Sequence, residues 1–149
     1  MNEHQVLEQE ILVFLKKIDS YFSRPLSQVQ DLEVFAKKLV EKGTLCYRLS
    51  EKNEIISLVA GYTDNLIKGE AYISLVGTLS NYSGHGLATE LVEEFLQVCK
   101  DKQISSVHLY TTSSNKAAVH MYERLGFYQR KIDNELRPKD IHFYYCIDV

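Results

Sequence analysis

The chain has 149 residues, 45% of them hydrophobic and 25% charged, with a formal net charge of −3. That length suits one domain, residues 1–149, able to bury a core without a disulfide or metal staple. The acidic balance argues against nucleic acid as a partner, which demands a basic face, and no apolar run reaches the roughly 18 residues of a membrane span.

Met1 to Gln5 carries no Lys or Arg ahead of the first apolar stretch, so no secretion signal is expected and the chain is placed in the cytoplasm. Cys46, Cys99 and Cys146 form no CxxC pair, which leaves reduced, packed thiols as the expectation rather than a disulfide or a zinc knuckle. The tyrosines are scattered, as strand and core-rim residues would be.

Glu3 to Ile18 reads as an amphipathic helix, with Leu7, Ile11, Phe14, Leu15 and Ile18 at helical spacing. Pro25 breaks the pattern, Ser27 is the expected cap of a second helix over Gln28 to Lys42, and Gly43 ends it. Thr44 to Ser50 and Glu54 to Tyr62 flank a turn-prone Glu51-Lys52-Asn53, as a hairpin does. Glu70 to Leu79 is a third strand. Then come a helix over Gly86 to Lys102, a strand over Ser105 to Thr112, a helix over Lys116 to Leu125, a strand over Phe127 to Ile132, and a closing strand over Ile141 to Ile147. The strand–helix–strand middle has the length of a parallel crossover, while the earlier strands are hairpin-linked. The class is therefore α+β (α/β by looser naming), a mixed sheet of about six strands flanked by about four helices.

The chemistry concentrates where the third strand meets its helix, at Ser83-Gly84-His85-Gly86-Leu87-Ala88. Two glycines allow a tight backbone turn and the close approach of a ligand, and the helix start adds unpaired N–H groups suited to a pyrophosphate. A P-loop, a dinucleotide fingerprint and a nucleophile elbow all fail on residues: there is no GK[ST], Thr89 stands where a third glycine belongs, and Asn81 and His85 replace the glycines of GxSxG. A plain tight turn stays open at this point. The second segment runs from Asn115 to Phe127, with Ala118, Met121, Tyr122 and Leu125 on one helix face, so Tyr122 points at the sheet.

Together the two segments resemble the GNAT N-acetyltransferase superfamily. Gly84 to Ala88 follows its phosphate-turn pattern, with Ser83 in place of the usual Gln or Arg, and Asn115, Ala118, Tyr122, Gly126 and Phe127 fit N-x-x-A-x-x-x-Y-x-x-x-G-F without a gap. The resemblance covers residues 70 to 132. It implies acetyl-CoA lying between third and fourth strands that splay near Gly77. Backbone groups of Leu75, Val76, Gly77, Thr78 and Leu79 would line the pantetheine arm. The N–H groups of Ser83, Gly84, His85, Gly86, Leu87 and Ala88 would hold the pyrophosphate, with Asn115 bonding the arm or pinning its loop.

The implied reaction is direct attack of an amine, on a small molecule or a peptide, upon the thioester. A backbone N–H near Val76 would stabilise the oxyanion and the Tyr122 hydroxyl would protonate the departing thiolate. The general base stays open: Ser74 occupies the usual acidic position, and Glu70, Tyr110 and His108 are the alternatives, with His108, Tyr110 and Thr112 on one strand face. His85 is a phosphate-side candidate and His120 a solvated one. A second class of function, a CoA-binding sensor or scaffold with little turnover, rests on Ser74 and Ser83. The closing Phe143-Tyr144-Tyr145 is expected to line a pocket or a dimer edge, and the resemblance allows a homodimer.

Overall fold

The computed structural model describes residues 1–147. Its first helix, α1 (Glu3–Ile18), has the predicted bounds because both of its ends are specified locally. Asn2 accepts from the Gln5 N–H at 2.9 Å and the Gln5 side chain accepts from the Asn2 N–H at 3.1 Å, a reciprocal cap. Ile11, Phe14, Leu15 and Ile18 then form one buried stripe.

The second predicted helix is divided. A single turn, α2 (Leu26–Val29), stops at an extended Gln30, and α3 (Leu32–Lys42) starts afresh from Asp31, whose carboxylate accepts from the Val34 N–H at 3.0 Å. Ser27 is not the cap of the longer helix. Its hydroxyl and N–H both donate to Asp19, at 2.6 and 2.8 Å, tying the one-turn helix back to the end of α1. Gly43 closes α3 as expected.

Six strands follow: β1 (Thr44–Leu49), β2 (Ile55–Asn65), β3 (Glu70–Thr78), β4 (Ser106–Thr111), β5 (Tyr128–Gln129) and β6 (Ile141–Cys146). Helix α4 (Leu87–Asp101) joins β3 to β4, and α5 (Lys116–Leu125) follows β4. The sheet order is β1-β2-β3-β4-β6-β5, with β3 and β4 parallel and the remaining pairs antiparallel. The mixed sheet is thus as expected, and four longer helices and one single turn flank it. β5 is shorter than the predicted Phe127 to Ile132, because the chain leaves the sheet at Arg130 and returns only at Ile141. β6 lies inside the sheet between β4 and β5, which removes the dimer-edge alternative for Phe143 to Tyr145.

Two clusters of buried side chains cover opposite faces. Helices α4 and α5 bring Leu91, Val92, Phe95, Cys99, Met121 and Tyr122 against Val59, Ile73, Val107, Leu109 and Phe143. On the other face, α1 and α3 bring Ile11, Phe14, Leu15, Phe35 and Leu39 against Leu58, Ala60 and Leu75. Each such fully buried Leu, Ile or Phe contributes about 1.5–3 kcal/mol over an exposed one. No helix among the described residues is long and apolar enough to cross a membrane.

The cysteines divide. Cys46 and Cys99 are buried, and burial pushes their thiols up to about 11 and about 12, whereas Cys146 is exposed, against the expectation of three packed thiols. Native protein should therefore release chromophore from one thiol per chain in a disulfide-exchange assay, and from three in urea. Fast reaction of a second thiol in the native state would contradict this packing.

Candidate functional site

β3 is the strand that opens the site. It pairs with β4 only at Glu70↔Ser106, Ala71↔Val107 and Tyr72↔His108. Beyond that rung β3 continues with β2 as far as Thr78↔Ser57, while β4 continues with β6 as far as Thr111↔Ile141. The two strands therefore part after Tyr72, five residues before the expected Gly77. The cause is local. Ala60 pairs with Leu75 and Gly61 with Ile73, so Ser74 is an extra residue that bends β3 away from β4.

That bulge settles what Ser74 does. Its hydroxyl donates to the Ala60 carbonyl across the ladder at 3.4 Å, so the position where an acidic base was sought serves the backbone instead. Further along, Leu79 donates its N–H to Ile56 at 2.8 Å. In an antiparallel ladder, bonded residues alternate, which turns the N–H and C=O of Leu75 and Gly77 toward β2 and those of Val76 and Thr78 into the split. Gly77 is needed for packing: a Cβ there would sit 2.7 Å from Ile18 Cδ1.

At the mouth of the split the chain turns through Gly84 and Gly86, at φ +81° and +78°. Gly86 is the N-cap of α4 and offers no side chain to its free N–H groups. A Cβ at either glycine would meet nothing within 4 Å, so the turn surrounds open space at the positive end of a helix. This cradle suits a pyrophosphate. Ser83 donates its hydroxyl to Ser80 at 2.8 Å, and Tyr21 clasps Ser80 through bonds of 3.2 and 3.1 Å, which steadies the approach to the turn. His85 is exposed, as are Gly84 and Gly86. A Gly86→Val substitution forces a branched side chain into left-handed backbone at about 1–2 kcal/mol and fills the cradle. Acetyl-CoA affinity should fall about tenfold or more in calorimetry, and an unchanged Kd would remove the turn from the binding site.

Asn115 caps α5, its side-chain oxygen accepting from the Ala118 N–H at 3.2 Å, so it pins the loop after β4. Gly126, at φ +103°, ends the same helix. Between them Tyr122 is 5% exposed and packs edge-on against Phe127 with ring centroids 5.5 Å apart. Burial raises its phenol well above the ordinary tyrosine value. Among the described residues the hydroxyl makes no hydrogen bond, and burial is the one cause acting on it. His120 is exposed on the far face of the helix.

A second set of groups occupies the half of the sheet that α1 and α3 leave uncovered. Tyr72, His108 and Tyr110 meet His142 and Tyr144, because β4 pairs with β6 at His108↔Tyr144 and Tyr110↔His142. The loop between β5 and β6 drops Glu135 onto this face. Its carboxylate accepts from the Tyr110 hydroxyl, from His142 Nδ1 at 2.7 Å and from the Leu136 N–H at 3.0 Å, and the Tyr110 bond, then the His142 bond, hold it below the usual carboxylate range. His108 Nδ1 lies 3.0 Å from His142 Nε2. Arg130 and Arg137 stack over Tyr144 and Tyr110 at 4.9 and 5.1 Å. His108 and Tyr110 share a face as alternation predicts. His142 and Glu135 have no sequence motif and become visible only through the β4–β6 register.

Two surface depressions, of about 400 and 440 Å³, lie between α1 and α3 and between β1 and α4, away from both sets of groups. A sheet parted between two strands, with an uncapped helix start at the mouth of the gap, is built for a long ligand with an anionic end. The sequence matches the acetyltransferase (GNAT) family over residues 13–127, and the chain belongs to that family, whose acyl donor is acetyl-CoA.

Among curated proteins it is 38% identical over 60 residues to N-alpha-acetyltransferase 30 of Schizosaccharomyces pombe, a segment that spans 40% of each protein. Among solved structures it is similar to a GNAT-family acetyltransferase of Staphylococcus aureus Mu50 (TM-score 0.78, 15% identity, 99% of this chain and 96% of that one). It is also similar to the NatC complex bound to Gag peptide and CoA (TM-score 0.72, 22% identity, 99% of this chain and 93% of that one). At these identities the structural likenesses establish the fold.

Proposed function

We infer that this chain is an acetyl-CoA-dependent N-acetyltransferase that joins acetyl to a small-molecule or peptide amine by direct attack on the thioester. The observation that carries it is the parting of β3 from β4 after Tyr72, with the uncapped start of α4 following the open end of β3. Family membership supports the donor, and the likeness to N-alpha-acetyltransferases supports an amine as acceptor.

Acetyl-CoA supplies the activated acetyl group. Leu75 to Leu79 line one wall of the split with backbone, and the N–H groups from Gly84 to Ala88 hold the pyrophosphate; the expected Ser83 drops out, because its N–H already donates to the Ser80 carbonyl at 3.3 Å. Asn115 keeps α5 in register with the gap. The Val76 N–H, turned into the split, is the donor for the oxyanion. Tyr122 delivers a proton to the sulfur as the C–S bond breaks.

The test is release of free CoA thiol with a panel of small amines and peptide N-termini. Acceptor-dependent release above the hydrolysis rate is expected. Tight acetyl-CoA binding with no release for any acceptor would instead favour a CoA-binding sensor or scaffold.

A further inference from the structure

We propose that His108 is the general base of the transfer, and that Glu135 acts through His142 to keep the His108 Nε2 bare for that task. This deepens the acetyltransferase reading above and rests on it.

The proton positions follow from the bonds. The Glu135 carboxylate can only accept, so Tyr110 O–H and His142 Nδ1–H both donate to it. With its single proton on Nδ1, His142 offers a bare Nε2 to the His108 Nδ1–H across 3.0 Å. His108 is left with its lone pair on Nε2. That atom has no partner among the described residues, and His108 is only half-buried. It sits on the last rung before the split, opposite Tyr72.

Charge around the ring favours this state. Burial, then His142, hold His108 below its ordinary 6.5, so the base is already free at neutral pH. Glu70 on β3 and Glu135 pull the other way, and Tyr72, Tyr110 and Tyr144 complete the wall with the Arg130 and Arg137 guanidiniums stacked outside. Ser74 needs no role, being spent on the bulge.

In the step itself the amine nitrogen bonds to the acetyl carbon while its proton passes to His108 Nε2. The C–S bond breaks, and Tyr122 protonates the sulfur to give the CoA thiol. The His108 imidazolium returns its proton to water and Tyr122 recovers one from water, so the balance is amine plus thioester to amide plus thiol. The positive charge on His108 is shared through His142 with Glu135 while it lasts. Glu135 is a positioning residue. It acts on the tautomer, as a buried carboxylate does behind a catalytic imidazole.

The experiment reads that tautomer directly. Nitrogen-15 spectra of the resting protein, with the His108 signals assigned by their loss in His108→Asn, should show a bare Nε2 and a protonated Nδ1. Glu135→Gln, whose amide can donate to His142, should move the proton onto His108 Nε2. Both substitutions should lower kcat by about 100-fold while acetyl-CoA affinity, the control for folding, holds. The wild-type acidic limb of kcat/KM should lie below pH 6.5 and vanish in His108→Asn. A proton on His108 Nε2 in the wild type, or His108→Asn turning over at the wild-type rate, overturns the relay. The spectrum needs no turnover, so the relay is judged separately from the question of transfer.

Discussion

Tyr122→Phe should lower kcat by about 100-fold or more, the scale of a lost general acid, and leave the acetyl-CoA Kd within about twofold. The hydroxyl has no protein partner among the described residues, so removing it costs the fold little. The ring keeps its contacts with Phe127 and Phe143, and the helix face stays filled. What is lost is the proton proposed above for the departing sulfur. Burial keeps that proton on the phenol throughout the working pH range. The same loss of water also raises the proton affinity of a departing thiolate, so transfer is not defeated by the high phenol pKa. Steady-state thiol release and calorimetry on the variant separate the two effects. A variant that turns over normally would leave Tyr122 as a core residue and require another acid.

Gly61→Ala should destabilise the fold by about 3 kcal/mol, the upper end of what overpacking costs. An added Cβ would lie 2.1 Å from the Tyr72 carbonyl oxygen and 2.9 Å from both Ile73 Cα and Phe95 Cζ. Two of those atoms are backbone of the neighbouring strand and cannot yield without separating β2 from β3. Gly61 also stands where the register shifts opposite Ser74, so the bulge and the glycine are one device. Urea unfolding should show a lower midpoint with the same slope. The melting temperature should fall by roughly 10 °C, at about 2–4 °C per kcal/mol for a chain of this size. Unchanged stability would mean that the ladder relaxes freely beside the split, and that the bulge does not depend on this glycine.

How much of this was legible beforehand depended on whether the cause lay close by in the chain. α1 and α5 have the predicted bounds because their caps, Asn2 with Gln5 and Asn115 with Gly126, sit within the pattern itself. The glycine turn and Tyr122 were readable for the same reason. Ser27 misled because its oxygen is claimed by Asp19, eight residues back, leaving Asp31 as the true cap. The point of strand parting was missed because a bulge is a property of two strands in register, and only one of them carries Ser74. Glu135 and His142 were out of reach for a stronger version of that reason. The loop from Arg130 to Asp140 has no periodic pattern, and only the alignment of β4 with β6 sets His142 beside Tyr110. Ser74 looked like a missing base; the structure gives it other work and places two histidines near the apex of the split.

The decisive question is whether the gap between β3 and β4, closed at the Tyr72–His108 rung and with the glycine turn at its mouth, holds acetyl-CoA. The most direct test is a calorimetric titration of the purified protein with acetyl-CoA, with CoA in parallel and Gly86→Val as the comparison. Saturable one-to-one binding of both ligands, weakened at least about tenfold by the substitution, is expected from the loss of cradle and backbone geometry. No heat of binding at millimolar ligand would contradict the account, and the assignment of donor, acid and base to this cleft would fall with it.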